Sequence, residues 1–383
     1  MMKHLSLKLL LSARDPGTAN NMVQIAKTAY ESDKFDIAFF ADEPAYSIVQ
    51  RERIPVERFH AGYVLSRNDS GVDGLHKEAI ETIRKVRPDV ILAGTSGEGE
   101  GIDEALLANS RNIPSYLIQD FWGRVNKLLG ENNTTYFVID EEAARLSHEL
   151  HSVETMVTGM PKYTGYSNID SVSVRKKLRN ILCDKPDERI VTFFGQDQWH
   201  LNGYSRTLRR FAEAVLELDT PVSVFYRKHP KEPEDGMMQV YKIMSSVGVV
   251  CRSASEFTTE EWLVVSDIVC CVCSNTGYDQ IMINRLSKVP LGSVVYLMCD
   301  PEIISWYKDS KRIDYLPPAR QNLAFCVEHP EEIGLVLRKA LLPEAQQQQW
   351  LKIQESIPAP HHVSTNILNI IYRSVSESVC SIK

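Results

Sequence analysis

The amino-acid sequence predicts an α/β protein made of two doubly wound, Rossmann-like halves facing a cleft. Three observations point there. Short apolar runs of strand type alternate with helical patterns along the chain, as in a parallel sheet covered by helices on both faces. The alternation starts afresh after Lys185-Pro186-Asp187. At 383 residues the chain is also too long for one simple core. The expected division is 1–165, 166–340 and a terminal pair of helices over 341–383 that packs back on the first half, with the join near Gly159 to Ser173.

In the first half, Leu5 to Leu11 is the opening strand, ending in Ser12-Ala13-Arg14-Asp15-Pro16-Gly17. A helix follows from about Asn20 to Ser32, with Met22, Val23, Ile25 and Ala26 as its apolar stripe. Asp36 to Phe40 is a strand, and Ile54 to Phe59 a short one leading to His60, a surface histidine. Gly71 to Lys85 reads as helix, and Pro88-Asp89 introduces the strand Val90 to Ala93. The loop after it, Gly94 to Gly101, carries four glycines but lacks the Gly-Lys-Ser/Thr ending of a Walker loop. Asp103 starts a helix, and Ser115 to Ile118 is a strand ending at Gln119-Asp120-Phe121-Trp122-Gly123. Tyr136 to Ile139, a helix over Glu141 to Leu150, and Thr155 to Thr158 close the half.

Ser167 to Ser173 is polar and without period, and a basic helix over Val174 to Leu182 follows. The second half then runs Ile190 to Phe194, a helix over 204–218, and Val222 to Tyr226. Next come a helix over Gly236 to Val247, Val249 to Arg252, and a helix over 258–265. Ile268 to Val272 is an apolar run of the length expected for a buried parallel strand. It breaks at Ser274-Asn275-Thr276-Gly277, small residues with turn and cap chemistry, before a helix with Ile281 and Met282 facing inward. Leu291 to Leu297 is a further strand, and Glu344 to Ser356 and Ser364 to Val379 are the terminal helices.

Composition narrows the function classes. A net charge of −7 argues against a nucleic-acid binder. No run of 18 apolar residues offers a membrane span, and no small-residue cleavage site follows the short apolar run at the start, so a cytoplasmic protein is expected. Arg175, Lys176, Lys177 and Arg179 cluster on the basic helix, either as a solvated face or as a peripheral contact to anionic lipid. Of the eight cysteines, Cys270, Cys271 and Cys273 lie inside the apolar strand and lack zinc spacing; they read as small buried hydrophobes, and no metal is expected.

Two stretches of the second half suggest an anion site. A small-residue turn between a buried strand and a helix, as at Ser274 to Gly277, leaves backbone N–H groups at the positive end of the helix dipole. The alternative there is an ordinary turn capped by Ser274 or Asn275. Arg227-Lys228-His229-Pro230 places three potentially cationic side chains at the C-terminal end of a strand, where open α/β sheets bind ligands.

The arrangement resembles the GT-B nucleotide-sugar glycosyltransferases, the hydrolysing sugar-nucleotide 2-epimerases, and the transferases that build teichoic acid and capsule polymers. Val157-Thr158-Gly159-Met160-Pro161-Lys162-Tyr163 is similar to the Gly-x-Pro element ending such N-terminal domains. Val191 to Gln196 is similar to the strand and loop opening the C-terminal domain, Tyr226 to Pro230 to its His-Pro strand end, and Ser266 to Gln280 to its donor-phosphate element.

The resemblance implies a donor site formed by Gly195, Gln196, Arg227, Lys228, His229, Ser274, Asn275, Thr276, Gly277 and Asp279. Asp279 falls near the ribose position, and Gln280 stands where some relatives keep a glutamate. The partners implied are a nucleotide sugar and a hydroxyl acceptor, with no cofactor beyond the donor. Expelling a nucleotide phosphate calls for positive stabilisation, and the acceptor hydroxyl for a base. Candidates for the base are Asp15, Asp120 and Glu98, with Arg14, Gly17 and Trp122 on the acceptor. Asp15 reads equally as the cap of the following helix, Trp122 as a packing residue, and Glu98 with Glu100 as a solvated loop. Asp197 is either a donor contact or a helix cap. Two further readings stand beside glycosyl transfer: a hydrolysing 2-epimerase, and a non-catalytic nucleotide-sugar binding module.

Overall fold

The computed structural model describes residues 6–130 and 134–381, so the readings of Met1 to Leu5 fall outside it. The chain divides into two compact units, Met1–Ser167 with Pro360–Lys383, and Asn168–Ala359.

The first unit is organised on a seven-stranded sheet of β1 (Leu7–Ala13), β2 (Phe35–Ala41), β3 (Glu57–Arg58), β4 (Val90–Ala93), β5 (Ser115–Ile118), β6 (Thr134–Val138) and β7 (Thr155–Val157). The strands are parallel, in the order β3-β2-β1-β4-β5-β6-β7. Helices cover both faces, which is why Leu9, Leu10 and Leu11 are all fully buried and the strand reads as a continuous apolar run. The terminal helix Val363–Ser381 belongs to this unit: Ile367, Ile371 and Val375 join Met22, Ile25 and Ala29 of the helix Pro16–Tyr30 in one core.

The second unit repeats the design with β8 (Arg189–Phe194), β9 (Val222–Arg227), β10 (Cys251–Ser253), β11 (Ile268–Cys271), β12 (Ser293–Leu297) and β13 (Phe325–Val327). Their order is β10-β9-β8-β11-β12-β13, again parallel. The strand order therefore reverses between β1 and β4 in one unit and between β8 and β11 in the other. Such switch points open a crevice beyond the carboxyl ends of the strands. The two-sheet α/β architecture expected from the sequence is the one observed.

Several boundaries differ for identifiable reasons. The first helix starts at Pro16, four residues before Asn20, because proline at the first helical position is pre-organised and its missing N–H goes unused. Ser167 to Ser173, expected to be irregular, contains the start of the helix Ser171–Leu182, where the Asp170 side chain accepts from Ser173 N at 3.2 Å. The strand expected at Ile54 to Phe59 shortens to Glu57–Arg58, preceded by a helix over Ala45–Arg51. Beyond Leu297, the helices Pro301–Lys311 and Ile333–Leu341 and the edge strand β13 had no counterpart in the sequence reading.

The basic helix is anchored through half of its cluster. Arg175 Nη2 and Arg179 Nη1 donate to the two carboxylate oxygens of Asp267 at 2.6 and 2.8 Å, and Asp267 is 1% exposed. Those two arginines therefore fasten the helix to the start of β11, while Lys176 and Lys177 are exposed. No described helix is long and apolar enough to cross a membrane.

Candidate functional site

In the first unit the crevice is built from the loops after β1, β4 and β5. Their ends are stitched together by hydroxyls: Thr18 Oγ1 donates to Thr95 O at 3.0 Å, and Thr95 Oγ1 to Ile118 O at 3.0 Å. Gly94 permits this closeness, since a Cβ there would overlap the Thr18 side chain. Asp15 sits at the cap position of the helix Pro16–Tyr30, yet its side chain makes no capping hydrogen bond. Its carboxylate reaches across the crevice to accept from the Gly97 amide instead. The capping alternative for Asp15 is thereby removed. Asp120 lies against the same helix start, its Oδ2 3.4 Å from where a Cβ on Gly17 would be. Arg14, Asp15, Gly17, Gly97 and Asp120 are thus brought together at one sheet edge.

Not every expected residue joins them. The Glu98 side chain is exposed, and it is the Glu98 carbonyl that accepts from Arg14 Nη2. The Arg14 guanidinium also lies over the Tyr63 ring, 4.7 Å from its centroid. Glu100, read with Glu98 as solvated, is only 5% exposed and accepts from the amide of Leu129 at 2.7 Å. Burial raises its pKa. Trp122, expected against the acceptor, is 3% exposed and its indole N–H points at the Asp140 carboxylate, 3.0 Å from each oxygen. A ring without an exposed face cannot stack on a sugar, so Trp122 packs.

The sequence reading missed the acids beneath the glycine loop. Asp103, fully buried, accepts from Ser12 Oγ at 2.6 Å, Arg14 N at 3.1 Å and Gly94 N at 3.2 Å. Glu104 accepts from Ser96 Oγ at 2.7 Å and Asn126 Nδ2 at 2.8 Å. Burial, reinforced by the neighbouring Glu104 charge, pushes the Asp103 carboxyl up to about 7. Asp103 joins the ends of β1 and β4, and Glu104 ties the loop after β4 to Asn126. The only signal for them in the sequence is two adjacent acids at a helix start, which usually marks a solvated first turn.

The second unit builds its crevice from the loops after β8, β9 and β11. Gly195 N donates to Arg227 O at 2.8 Å, joining the first two loops. Gln196 Oε1 accepts from the amides of Val272 and Cys273 at 3.0 and 2.8 Å, joining the third. Gly195, Gln196, Lys228, His229 and Ser274 to Gly277 therefore share one edge at the switch point.

The expected triad of cations is reduced. Arg227 turns sideways: Nη1 donates to Phe257 O at 2.8 Å and Nε to Thr259 Oγ1 at 3.2 Å, bracing the loop that follows β10. His229 Nδ1 accepts from Lys231 N at 3.1 Å, which places the ring proton on Nε2. Burial lowers the His229 pKa, with Lys231 adding to this and Asp197 opposing it, so the ring is a neutral donor at pH 7. Lys228 is exposed at the edge.

The turn expected to leave its amides open is also more closed than that. Thr276 N donates to Ser274 Oγ at 3.2 Å and Gly277 N to Ser274 O at 3.1 Å. What the turn presents is the half-buried residues Ser274, Asn275 and Thr276 at the start of the helix Thr276–Leu286. Gly277 is required because a Cβ would overlap the Tyr296 ring. Asp279 is 9% exposed. Asp197, exposed, lies within electrostatic reach of His229.

No protein-family model matches the chain, and no curated protein matches it in sequence. Solved structures do match in fold. The UDP-GlcNAc 2-epimerase of Neisseria meningitidis bound to UDP-GlcNAc is 13% identical with a TM-score of 0.63, over 96% of this chain and 100% of that one. A glycosyltransferase from Rickettsia africae is 9% identical with a TM-score of 0.64, over 97% and 98%. Acinetobacter baumannii MurG is 11% identical with a TM-score of 0.58, over 95% and 99%. The chain has the GT-B-like fold of these proteins along essentially its whole length.

Proposed function

We propose that the chain is an enzyme acting on a nucleotide sugar, and that it transfers the sugar to a hydroxyl acceptor in surface-polysaccharide or glycoconjugate synthesis. One observation carries the reading: Lys228, the Nε2–H of His229 and the residues Ser274 to Thr276 share the edge at the switch point of the second unit. A cation, a neutral N–H donor and hydroxyls there suit a diphosphate, whose charge grows as the glycosidic bond breaks. The fold likeness to a UDP-GlcNAc 2-epimerase bound to UDP-GlcNAc and to a glycosyltransferase supports the same choice. In this reading Asp15 is the base for the acceptor hydroxyl, Asp120 its alternate, and Arg14 and Gly17 contact the acceptor. Asp279 contacts the donor ribose, while Gln196 and Gly195 shape the donor loop.

Hydrolytic 2-epimerisation is the second reading, and the carboxylates Asp15 and Asp120 at the crevice of the first unit, with Asp103 and Glu104 buried below them, favour it. Asp15, Asp103, Glu104 and Asp120 all belong to the loops after β1, β4 and β5 or the helix that follows. The two are separated by incubating the protein with UDP-GlcNAc and following UDP release. Release that requires an added hydroxyl acceptor supports transfer. Release without acceptor, together with a 2-epimerised free sugar, supports epimerisation. Lys228→Ala should weaken UDP binding by about 10-fold and His229→Ala by about 5-fold, as loss of one charged and one neutral hydrogen bond predicts. Calorimetric titration reads both, and unchanged affinity in both variants would remove the diphosphate from this edge.

A further inference from the structure

Beneath the β8 and β9 loops lies a buried carboxylate that the proposed chemistry does not use. Glu232 is 6% exposed and stands just after the His-Pro turn. Its Oε1 accepts from Tyr226 Oη at 2.9 Å and from the His229 amide at 2.9 Å, and its Oε2 from Trp199 Nε1 at 3.3 Å. The chain of donors continues outward. Tyr226 Oη lies 2.9 Å from Tyr204 Oη, and Tyr204 Oη accepts from Gln196 N at 3.0 Å. Since Tyr226 donates to Glu232, Tyr204 donates to Tyr226, and the proton order from Gln196 to Glu232 is set. Gln196 in turn holds the amides of Val272 and Cys273. One carboxylate thus ends a directed chain that ties together the loops after β8, β9 and β11. Gly195 lies against this chain so closely that a Cβ would overlap both Glu232 and Tyr226.

We infer that Glu232 is a positioning residue that sets the geometry of the nucleotide-binding edge through this chain. The inference rests on the proposed nucleotide-sugar function. The carboxylate accepts three donors and has none of its own, so a proton on either oxygen meets an N–H or O–H already pointed at it. Burial raises the Glu232 pKa, opposed by its hydrogen bonds and by Lys228. The other titratable groups around it are Tyr226 and Tyr204, both held neutral by burial, and His229; Lys231 and Asp197 act on His229 in turn.

The test compares wild type with Glu232→Gln and Tyr226→Phe. UDP affinity is measured by calorimetry from pH 8 to pH 4, below the ordinary glutamate range from which burial raises Glu232, and amide exchange at Gln196, Val272 and Cys273 without ligand. At pH 8, Glu232→Gln should bind UDP about 10-fold more weakly, because a neutral amide replaces the charged acceptor of Tyr226 and His229 N and turns an N–H toward Trp199 Nε1. The ratio of wild-type to variant affinity should shrink toward one as pH falls and Glu232 takes up its proton. Repeating the comparison in a His229→Ala background removes the part of the pH dependence that belongs to His229. Exchange at the three amides should quicken in both variants while exchange in β1 stays the same. A ratio that stays constant with pH would mark a merely structural role and overturn the inference. UDP binding and amide exchange equal to wild type in Glu232→Gln would overturn it as well. If wild type binds no nucleoside diphosphate, the functional reading falls and takes the inference with it, even if exchange quickens.

Discussion

Asp15→Asn is expected to lower turnover by a factor of about 100 to 10,000, the usual contribution of a positioned general base, while UDP binding stays within about 2-fold. The asparagine is nearly isosteric, and its carbonyl can still accept from the Gly97 amide that Asp15 now engages. The fold of the crevice should therefore survive, and only the capacity to take a proton is lost. The environment supports such a role. Asp15 is 7% exposed, lies 3.7 Å from Arg14 Nη2, and makes no hydrogen bond that caps its helix. Steady-state kinetics on the native donor, with calorimetry on the same sample, separates the two effects. Full activity in Asp15→Asn would move the base to Asp120.

The largest expected effect on stability is at Asp267. Its carboxylate accepts from Arg175, Arg179 and the Ile190 amide, at 2.6, 2.8 and 2.8 Å, with Arg189 3.6 Å away. Burial lowers the Arg175 pKa and the Asp267 charge opposes that, so the pair must be lost or kept together. Asp267→Ala removes the shared carboxylate and leaves the half-buried guanidiniums of Arg175 and Arg179 facing each other, at a cost of up to about 3–5 kcal/mol. For a unit of this size that lowers the melting temperature by on the order of 10 °C. Arg189→Ala, at the longer distance and more exposed, should cost under about 1 kcal/mol. Thermal melts of the two variants check the order. A melt of Asp267→Ala within about 2 °C of wild type would show that the helix Ser171–Leu182 is held mainly by its apolar contacts.

The fold was legible because parallel strands covered on both faces leave unbroken apolar runs. Val90 to Ala93 and Ile268 to Cys271 are fully buried and were visible as such. The strand ends are legible too, and they put Asp15, Gly195, Lys228 and Ser274 at sheet edges from the sequence alone. The direction of each side chain was not. Arg227 and Lys228 are neighbours in sequence, yet one braces the Ala254–Thr259 loop and the other is exposed. The choice is made by carbonyls some thirty residues away in the chain. Trp122 is hidden by Asp140, and Asp103 by Ser12, for the same reason. Burial of a polar group depends on partners brought by the sheet, which no local pattern records. Glu232 looks in sequence like one more charge in a surface turn, between Lys231 and Pro233.

The most direct test of the central claim is a thermal-shift screen of the intact protein against UDP, CDP, GDP, dTDP, ADP and CMP. A ligand that binds only the folded state raises its stability by about 2.7 kcal/mol at 100 times the dissociation constant. One nucleoside diphosphate should therefore raise the melting temperature by several degrees, and Lys228→Ala should shrink that shift. A flat response to all six would contradict a nucleotide-sugar enzyme and leave the crevices without their proposed ligand.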